Sequence, residues 1–401
     1  MNLKSGSILW PQINQELERI FTSLDHDISC DVAIIGGGIS GALVAYHLTR
    51  VGIETIMIDR RRVGHGSTSA STGLLQYEID TSLVDLAKMI GKERAIAAYR
   101  ASLDALLAFE PLVAELDDSC GLAAQPSLYL ASNEKDGHAL RAECEARSAM
   151  GIEVDFIEAD RLRGEFGFSR PAALCSAKAF EVDPFRLTMR LIDRSVHQGL
   201  RVFDQTEITR FEPGSQLVVL HTPAGARITA KKVVFATGYE TMEQIPSDLC
   251  RLKSTYAIVS QPIESFAFWR DRCLIWETAR PYLYLRTTQD NRAIVGGADE
   301  PIVEAKSRDA LLEAKTRDLQ ERAMHLFPEI QIEPEYAWAG TFAETKDGLP
   351  YIGALPQFPG CYFALGYGGN GITFSLLAAW IIRDLFVGRE SDMSRLFAFG
   401  R

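Results

Sequence analysis

Three glycines near the start of this 401-residue chain have the spacing of a phosphate-binding turn. Gly36, Gly38 and Gly41 lie within residues 32–59, which read as an apolar strand, a tight turn, a helix and a second apolar strand ending at Asp59. Gly36 permits the turn, Gly38 lets the backbone approach a pyrophosphate, and Gly41 lets helix and strand pack closely. Because a helix N-terminus offers N–H groups and partial positive charge, this segment predicts a dinucleotide site.

The acid that ends the second strand indicates which dinucleotide binds. Asp59 is expected to accept hydrogen bonds from the ribose hydroxyls of the adenosine half, and its charge disfavours the 2′-phosphate of NADP. Arg60, Arg61 and Arg62 weaken this argument without reversing it, and we also expect Arg60 to contact the cofactor. Ile39 and Ser40 open the helix, so we expect both to touch the cofactor.

A small, hydroxyl-rich loop over residues 63–73 favours FAD. Such a loop offers backbone and hydroxyl contacts to phosphate and ribityl oxygens. A flexible surface linker is the alternative, which the neighbouring dinucleotide motif disfavours. The residues expected to contact FAD here are Gly66, Ser67, Thr68, Thr72 and Gly73.

A second strand, glycine turn and helix pattern lies near the C-terminus, from residue 361 to about residue 387. A helix N-terminus at this turn is suited to face the electron-rich N1/O2 edge of a reduced flavin. Tyr367, embedded in the turn, is the aromatic residue most expected to meet the substrate. The expected cofactor contacts of the turn are Gly368, Gly369, Asn370, Gly371, Ile372 and Thr373.

Together these motifs resemble the D-amino-acid-oxidase-like superfamily of FAD-dependent oxidoreductases, which includes glycine, sarcosine and γ-glutamylputrescine oxidases. The resemblance runs from about Asp31 to the C-terminus, and it also rests on residues 233–238, 282–286, 294–297, 338–340 and 347–353. It implies non-covalent FAD, because members with covalent flavin carry a cysteine near the position of Gly340 and none is close here. The resemblance adds these expected cofactor contacts: Ile208, Ala236, Thr237, Gly238 and Gly340.

Three departures from the family pattern bear on the reaction. Glycine-oxidase-like members hold the substrate carboxylate with two arginines, at the positions of Phe342 and Gly369 in this chain. Neither residue forms a charge-assisted pair, so we expect small α-amino acids to be poor substrates. Sarcosine-oxidase-like members place a lysine over the flavin where this chain has Ile294, which leaves the electron acceptor open.

The candidate substrate residues follow the hydroxyl-rich loop or lie on expected strands of the substrate domain. Those strands carry Trp276, Tyr256 and Tyr282, for which ordinary sheet packing is the alternative, and Glu78 follows the loop. We expect an inward-facing arginine to meet an anionic group, with a surface salt bridge as the alternative. The residues expected to serve catalysis are Tyr367, Gln76, Arg286 and Tyr284.

Composition and charge limit the classes of partner and the cellular location that we expect for the protein. A formal net charge of -11 disfavours nucleic acid and anionic membrane surfaces. Seven scattered cysteines without metal-ligand spacing predict reduced thiols, a cytoplasmic protein and no metal site. The N-terminus lacks a signal-peptide pattern. The most apolar stretch, 372–387, contains Arg383 and Asp384, so it predicts a buried helix and not a membrane span.

The order of elements predicts an α/β fold. A Rossmann-like FAD-binding domain is expected to be interleaved with an α+β substrate domain built on an antiparallel sheet. The expected divisions are an N-terminal arm over 1–29, the FAD-binding domain over 30–118, 181–240 and 336–401, and the substrate domain over 119–180 and 241–335.

The sequence therefore predicts a FAD-dependent oxidoreductase that converts a C–N bond of an amine or amino acid to an imine, which water hydrolyses. The γ-glutamylputrescine-oxidase-like branch fits best because the carboxylate arginines are missing. O2 is the expected acceptor, and a dehydrogenase that passes electrons to a quinone or a carrier protein is the first alternative. A non-catalytic flavoprotein subunit and an NAD-binding dehydrogenase are the others. The oligomeric state stays open.

Overall fold

The computed structural model describes residues 2–243, 245, 249–329, 331–365 and 367–401. Its α-helices, in chain order, are α1 Leu9–Ile13, α2 Ile39–Arg50, α3 Leu83–Ile90, α4 Lys92–Leu107, α5 Phe109–Ala114, α6 Glu134–Ala149, α7 Ala159–Phe166, α8 Pro184–His197, α9 Ala305–Ala310, α10 Leu312–Leu326, α11 Gly371–Phe386 and α12 Asp392–Leu396. Its strands are β1 Lys4–Ser7, β2 Ile28–Ile35, β3 Thr55–Ile58, β4 Leu74–Leu75, β5 Ala123–Leu130, β6 Val154–Glu158, β7 Ala172–Glu181, β8 Arg201–Phe203, β9 Arg210–Glu212, β10 Val218–His221, β11 Arg227–Phe235, β12 Cys250–Ser260, β13 Leu274–Glu277, β14 Leu283–Thr287, β15 Ala293–Glu300, β16 Pro334–Thr345, β17 Tyr351–Ala354 and β18 Cys361–Leu365.

An eight-stranded sheet carries the predicted dinucleotide motif. Its main order is β17-β18-β11-β2-β3-β8, and β9 and β10 extend it from β11. The strands from β18 to β8 run parallel, whereas β17 runs antiparallel to β18. Helix α2 connects β2 to β3 and packs on α8 and α11, as a crossover helix covering a parallel sheet does. This arrangement confirms the predicted Rossmann-like part of the fold.

Local sequence signals explain where the covering helices begin and why they are buried. At the start of α8, the Asp183 carboxylate accepts a hydrogen bond from the Arg186 N–H at 2.9 Å, and Pro184 occupies the first turn. Ten of the sixteen residues of α11 are buried, as predicted for 372–387. Among the described helices, none is both long and apolar enough to cross a membrane.

A ten-stranded sheet forms the second layer, which is the predicted substrate sheet. Its main order is β1-β16-β12-β15-β14-β13-β5-β7-β4, and β6 pairs with β7. Neighbours are antiparallel except for β13 and β5, which run parallel. The longest pairing joins β12 to β16, from Cys250 opposite Thr345 to Ser260 opposite Pro334. The expected antiparallel substrate sheet is therefore present.

At three strands, the sheet to which the strand belongs differs from the predicted domain division. Strand β16 belongs to the ten-stranded sheet although residues 336–345 were expected in the FAD-binding domain, because its backbone pairs with both β12 and β1. The chain returns to the eight-stranded sheet only at β17. The two-residue strand β4, inside the expected first FAD-binding segment, pairs with β7. Strand β1 lies in the predicted N-terminal arm and forms an edge of the ten-stranded sheet.

The rest of that arm packs against the hydroxyl-rich loop. The Trp10 indole N–H donates to the Ser71 carbonyl at 2.7 Å, and the Glu18 carboxylate pairs with Arg62 at 2.9 Å. The Asn14 amide donates to the Asp183 carboxylate at 2.7 Å, which joins the arm to the start of α8. The arm therefore helps to fix the loop expected to hold phosphate and ribityl oxygens.

Candidate active site

A cavity of about 530 Å³ lies where the carboxyl ends of β2, β3 and β11 meet the ten-stranded sheet. This is the edge at which open parallel sheets bind their ligands. Tyr367, Gln76 and Tyr284 line it, together with Glu78, Tyr282 and Trp276. The predicted cofactor contacts in its wall are Gly36, Gly38, Ile39, Ser40, Asp59, Arg60, Gly66, Ser67, Thr68, Thr72, Ile208, Ala236, Thr237, Gly238, Gly340, Gly368, Gly369, Asn370, Gly371 and Ile372.

Three predicted cofactor contacts lie behind this wall and shape it. A Cβ on Gly41 would stand 1.9 Å from the Gly36 carbonyl oxygen, so its role is close helix-to-strand packing. A Cβ on Gly73 would stand 2.2 Å from the Val182 carbonyl oxygen. The Thr373 hydroxyl donates to the Gln76 carbonyl at 3.1 Å. None of the three lines the cavity, and their contact with the cofactor stays a prediction.

The first glycine turn has the geometry that its sequence predicts. Gly36 adopts a φ of +110°, and a Cβ there would stand 2.4 Å from the Ala236 carbonyl oxygen. Gly38 ends the turn without a capping side chain, and the first helical N–H, on Ile39, donates to the Thr68 hydroxyl at 2.9 Å. The N-terminus of α2 thus opens into the cavity and suits an anionic group.

Asp59 stands beside this turn with its carboxylate held by backbone. One oxygen accepts from the Gly37 N–H and the other from the Arg61 N–H, both at 2.7 Å. Burial raises the pKa of Asp59, although both N–H groups act in the opposite direction. Arg60 and Arg61 both pair with Glu240, which also lines the cavity. Two carboxylates at this end disfavour the 2′-phosphate of NADP.

We expect Asp59→Ala to raise the FAD dissociation constant by about ten- to a hundredfold, because charge-assisted hydrogen bonds to ribose contribute roughly 1.5 to 3 kcal/mol. Fluorescence titration of FAD into stripped protein measures this. Asp31→Ala is the matched control, because Asp31 starts the same unit and pairs with Lys231 away from the cavity. An unchanged dissociation constant for Asp59→Ala would place the ribose elsewhere.

The cavity also offers an unsatisfied hydroxyl for a polar ligand. The Ser67 hydroxyl is buried and has no hydrogen-bond partner among the described residues, yet Ser67 lines the cavity. A phosphate or ribityl oxygen would supply that partner. The N-terminus of α2, the Asp59 carboxylate and this hydroxyl together fit FAD. Within the described residues no cysteine lines the cavity, and no cluster of three His, Cys, Asp or Glu side chains is placed to hold a metal ion.

Comparison with known proteins agrees with this fit. A model of the family described as FAD dependent oxidoreductase, DAO, matches residues 31–385. The chain belongs to this family. The assignment confirms FAD as the cofactor of this oxidoreductase and the predicted superfamily resemblance.

Similar proteins include oxidoreductases with different named substrates. The γ-glutamylputrescine oxidoreductase of Escherichia coli (strain K12) is 24% identical over 94% of this chain and 88% of its own length. The glycine oxidase of Geobacillus kaustophilus (strain HTA426) is 27% identical over 90% of this chain and 94% of its own length. The crystal structure of glycine oxidase from Geobacillus kaustophilus superposes with a TM-score of 0.78 at 22% identity, covering 93% of this chain and 99% of that one, and shows the same fold.

The FAD-dependent oxidoreductase has a chamber beyond its second glycine turn. We define this chamber by the cavity-lining residues Gln76, Glu78, Asp80, Trp276, Tyr282 and Tyr284. The two tyrosine rings lie 5.6 Å apart. The Gln76 amide and the Trp276 indole N–H both donate to the Ser127 hydroxyl oxygen, at 2.8 and 3.0 Å. These contacts fix the Gln76 amide and the Trp276 ring in the wall of the chamber.

Residues 76–80 form one wall of the chamber and were only partly predicted. Gln76, Glu78 and Asp80 line the cavity, whereas Tyr77 and Ile79 are buried in the core. The Asn370 amide donates to the Glu78 carbonyl, and the Gly369 N–H donates to the Asp80 carboxylate at 2.9 Å. Asp80 was missed by sequence reasoning, although the alternation that includes Gln76 and Glu78 extends to it.

Arg286 is not brought to the chamber, which corrects its expected role. It is 2% exposed, and its guanidinium stands 3.7 Å from the Glu181 carboxylate and donates to the Val182 carbonyl at 3.2 Å. The Trp10 ring from the N-terminal arm covers it at 5.3 Å. Tyr256 likewise lies outside the cavity wall, and its hydroxyl donates to the Arg308 carbonyl.

Arg286→Met is expected to lower the free energy of unfolding by roughly 3 kcal/mol, because it leaves the buried Glu181 carboxylate without its cation. Urea denaturation measures this, and KM for amine substrates should change less than about twofold, since Arg286 does not line the cavity. Arg210→Met is the control, because Arg210 forms an exposed pair with Glu212. A large rise in KM for α-amino acids would restore Arg286 as a substrate residue.

This oxidoreductase has a phenylalanine and a glycine at the two positions where glycine-oxidase-like members of the family carry arginines. Phe342 and Gly369 both line the cavity. A Cβ on Gly369 would stand 2.8 Å from the Asp80 carboxylate, so a carboxylate occupies the space beside the missing side chain. Ile294 is fully buried within the core and lies outside the cavity wall.

Proposed function

We propose that the protein oxidises the C–N bond of an amine that carries no carboxylate on its reacting carbon, with FAD as cofactor and O2 as acceptor. The observation that carries this proposal is the charge of the cavity wall. Among the described lining residues the cations are Arg60 and Arg61, both paired with Glu240, while the chamber contains Glu78 and Asp80. A wall with this charge favours an ammonium group over a carboxylate.

The side chains of the chamber suit the binding of such a substrate. FAD, when bound, accepts a hydride equivalent from the carbon that bears the amine. The carboxylates of Glu78 and Asp80 accept N–H hydrogen bonds, and the rings of Tyr282, Tyr284 and Trp276 enclose the carbon chain and attract its positive charge. Enclosure by these rings also keeps bulk water from the reacting carbon. The name of the Escherichia coli relative, γ-glutamylputrescine oxidoreductase, supports an amine-oxidising branch.

Product analysis tests the proposal. The purified holoenzyme should convert an alkylamine to the aldehyde and ammonia, with oxygen consumed and hydrogen peroxide formed in equal amount. Protein stripped of FAD serves as the control and should form no aldehyde. Aldehyde formed only with an added quinone or dye would favour the dehydrogenase. Absence of aldehyde under both conditions would overturn amine oxidation and favour a flavoprotein that serves a complex without catalysis.

A further inference from the structure

We infer that Glu78 and Asp80 form a paired-carboxylate site that selects a diamine, a substrate with two ammonium nitrogens, over a monoamine. This inference rests on the proposed function, because it names the substrate class of the same chamber. Glu78 and Asp80 are separated by one residue in the segment between β4 and α3, and both residues line the same cavity. Alternate residues of an extended chain are roughly 7 Å apart along it, which suits two charges on one short aliphatic chain.

The first observation is that Glu78 has an unused buried acceptor. Its side chain is 1% exposed, and one carboxylate oxygen accepts from the Ser176 hydroxyl at 2.5 Å. The other oxygen, Oε2, is buried and has no hydrogen-bond partner among the described residues. Because Glu78 lines the cavity, a rotation of its side chain would present this oxygen to a ligand N–H, which would satisfy it.

The protein cation near Glu78 is already engaged elsewhere. Arg147 stands 3.5 Å from Glu78, but its nearer partner is the Glu143 carboxylate at 2.7 Å. Glu143 also accepts from the N–H groups of Leu83 and Val84 at the start of α3. One buried guanidinium thus faces two carboxylates, which leaves a negative charge for a ligand cation to balance. Burial raises the pKa of Glu78, a cost that such a cation would relieve.

The second carboxylate stands where a family arginine is missing. Asp80 Oδ2 accepts from the Gly369 N–H, while Oδ1 lies 2.8 Å from the position that a Cβ on Gly369 would take. Asp80 is exposed, so a ligand in the cavity can reach its carboxylate. A carboxylate therefore lies where a cationic protein side chain would begin, and a cationic ligand beside it would meet an opposite charge.

Nearby protein cations do not occupy this space. Lys253 pairs with Glu344 at 2.6 Å on β12 and β16. Arg280 donates to the carbonyls of Glu277, Thr278 and Ala279 and lies over the Tyr282 ring at 4.9 Å. Neither Lys253 nor Arg280 lines the cavity.

A matched pair of substrates tests the inference on the holoenzyme. For 1,4-diaminobutane, kcat/KM should exceed that for butylamine by about ten- to a hundredfold, because the two differ by one charge-assisted partner. Asp80→Asn and Glu78→Gln should each reduce this ratio to within about threefold of one. Glu344→Gln is the matched control, because Glu344 is a neighbouring acid outside the cavity wall, and it should keep the ratio.

Binding without turnover gives an independent readout. A diamine whose nitrogen-bearing carbons carry no hydrogen, 2,5-diamino-2,5-dimethylhexane, cannot be oxidised, and its affinity is measured by calorimetry against tert-butylamine. The diamine should bind about ten- to a hundredfold more tightly, and Asp80→Asn should abolish this difference. Flavin content of every variant is measured in parallel.

The outcomes separate this inference from the proposed function. Amine oxidation with equal kcat/KM for diamine and monoamine would overturn the diamine inference alone. Tighter diamine binding without oxidation of any amine would support the paired-carboxylate site and overturn the proposed function. Loss of flavin from Glu78→Gln with an unchanged diamine preference would overturn the inference and assign Glu78 to the cofactor.

Discussion

Replacing Gly38 with valine is expected to give a folded protein that has lost FAD. Gly38 lines the cavity at the N-terminus of α2, and the nearest atom to a Cβ there is the Thr68 hydroxyl oxygen at 2.8 Å. Thr68 must therefore shift, but apart from the chain neighbours of Gly38 no backbone atom lies within 4 Å of that Cβ, so the fold should survive. Valine would, however, occupy the space into which the helix N-terminus directs a pyrophosphate. The ratio of flavin to protein absorbance after gel filtration measures the loss, and circular dichroism reports the fold.

Two further valine variants serve as controls, one expected to keep FAD and one expected not to fold. Gly164→Val, in the exposed helix α7, places its Cβ in open space and should keep FAD in full. Gly41→Val should fail to fold, because its Cβ would stand 1.9 Å from the Gly36 carbonyl oxygen. Stoichiometric FAD in Gly38→Val would show that the cofactor does not cross this turn.

The second expected result is strong discrimination against α-amino acids. Two missing charge-assisted pairs, at Phe342 and Gly369, forfeit roughly 1.5 to 3 kcal/mol each. The Asp80 carboxylate beside Gly369 adds repulsion, because it meets an α-carboxylate with like charge. We therefore expect kcat/KM for glycine, sarcosine and D-alanine to be about a hundred- to ten-thousandfold lower than for an alkylamine.

Steady-state kinetics on one preparation measures this ratio. Asp80→Asn provides the internal comparison, since removing one like charge should improve α-amino acids relative to alkylamines while the two arginines stay absent. Efficient turnover of glycine or sarcosine by the unmodified protein would contradict the account of the chamber and the preference for a γ-glutamylputrescine-oxidase-like branch.

Local patterns predicted the dinucleotide unit because its signals lie close together in the sequence. The strand, turn, helix and acid from β2 to Asp59 are contiguous, and only glycine fits at Gly36 and Gly41. The second glycine turn was predicted on the same grounds, and its residues Gly368 to Ile372 meet the first turn in one cavity. Each turn could therefore be predicted from a contiguous stretch of sequence, and the hydroxyl-rich loop together with the family resemblance indicated FAD.

The role of Arg286 and the sheet membership of β16 were not predicted, because both depend on packing between segments that are far apart in the sequence. Tyr284 and Arg286 share a face of β14, because alternation fixes the face of a strand residue. Alternation does not fix what covers that face, and Trp10, 276 residues away along the chain, covers Arg286. For a similar reason, the predicted domain boundary after residue 335 cuts through strand β16. The pairing of this strand with β1 and β12 cannot be inferred from the local sequence.

Bound FAD is expected to accept electrons from an amine held by the carboxylate-lined chamber. Anaerobic mixing of the holoenzyme with a panel of amines and α-amino acids, followed by absorbance at about 450 nm, tests it most directly. We predict rapid loss of that absorbance with alkylamines and diamines and little loss with glycine, sarcosine or D-alanine. A flavin that bleaches with α-amino acids and not with amines, or with neither class, would contradict the account.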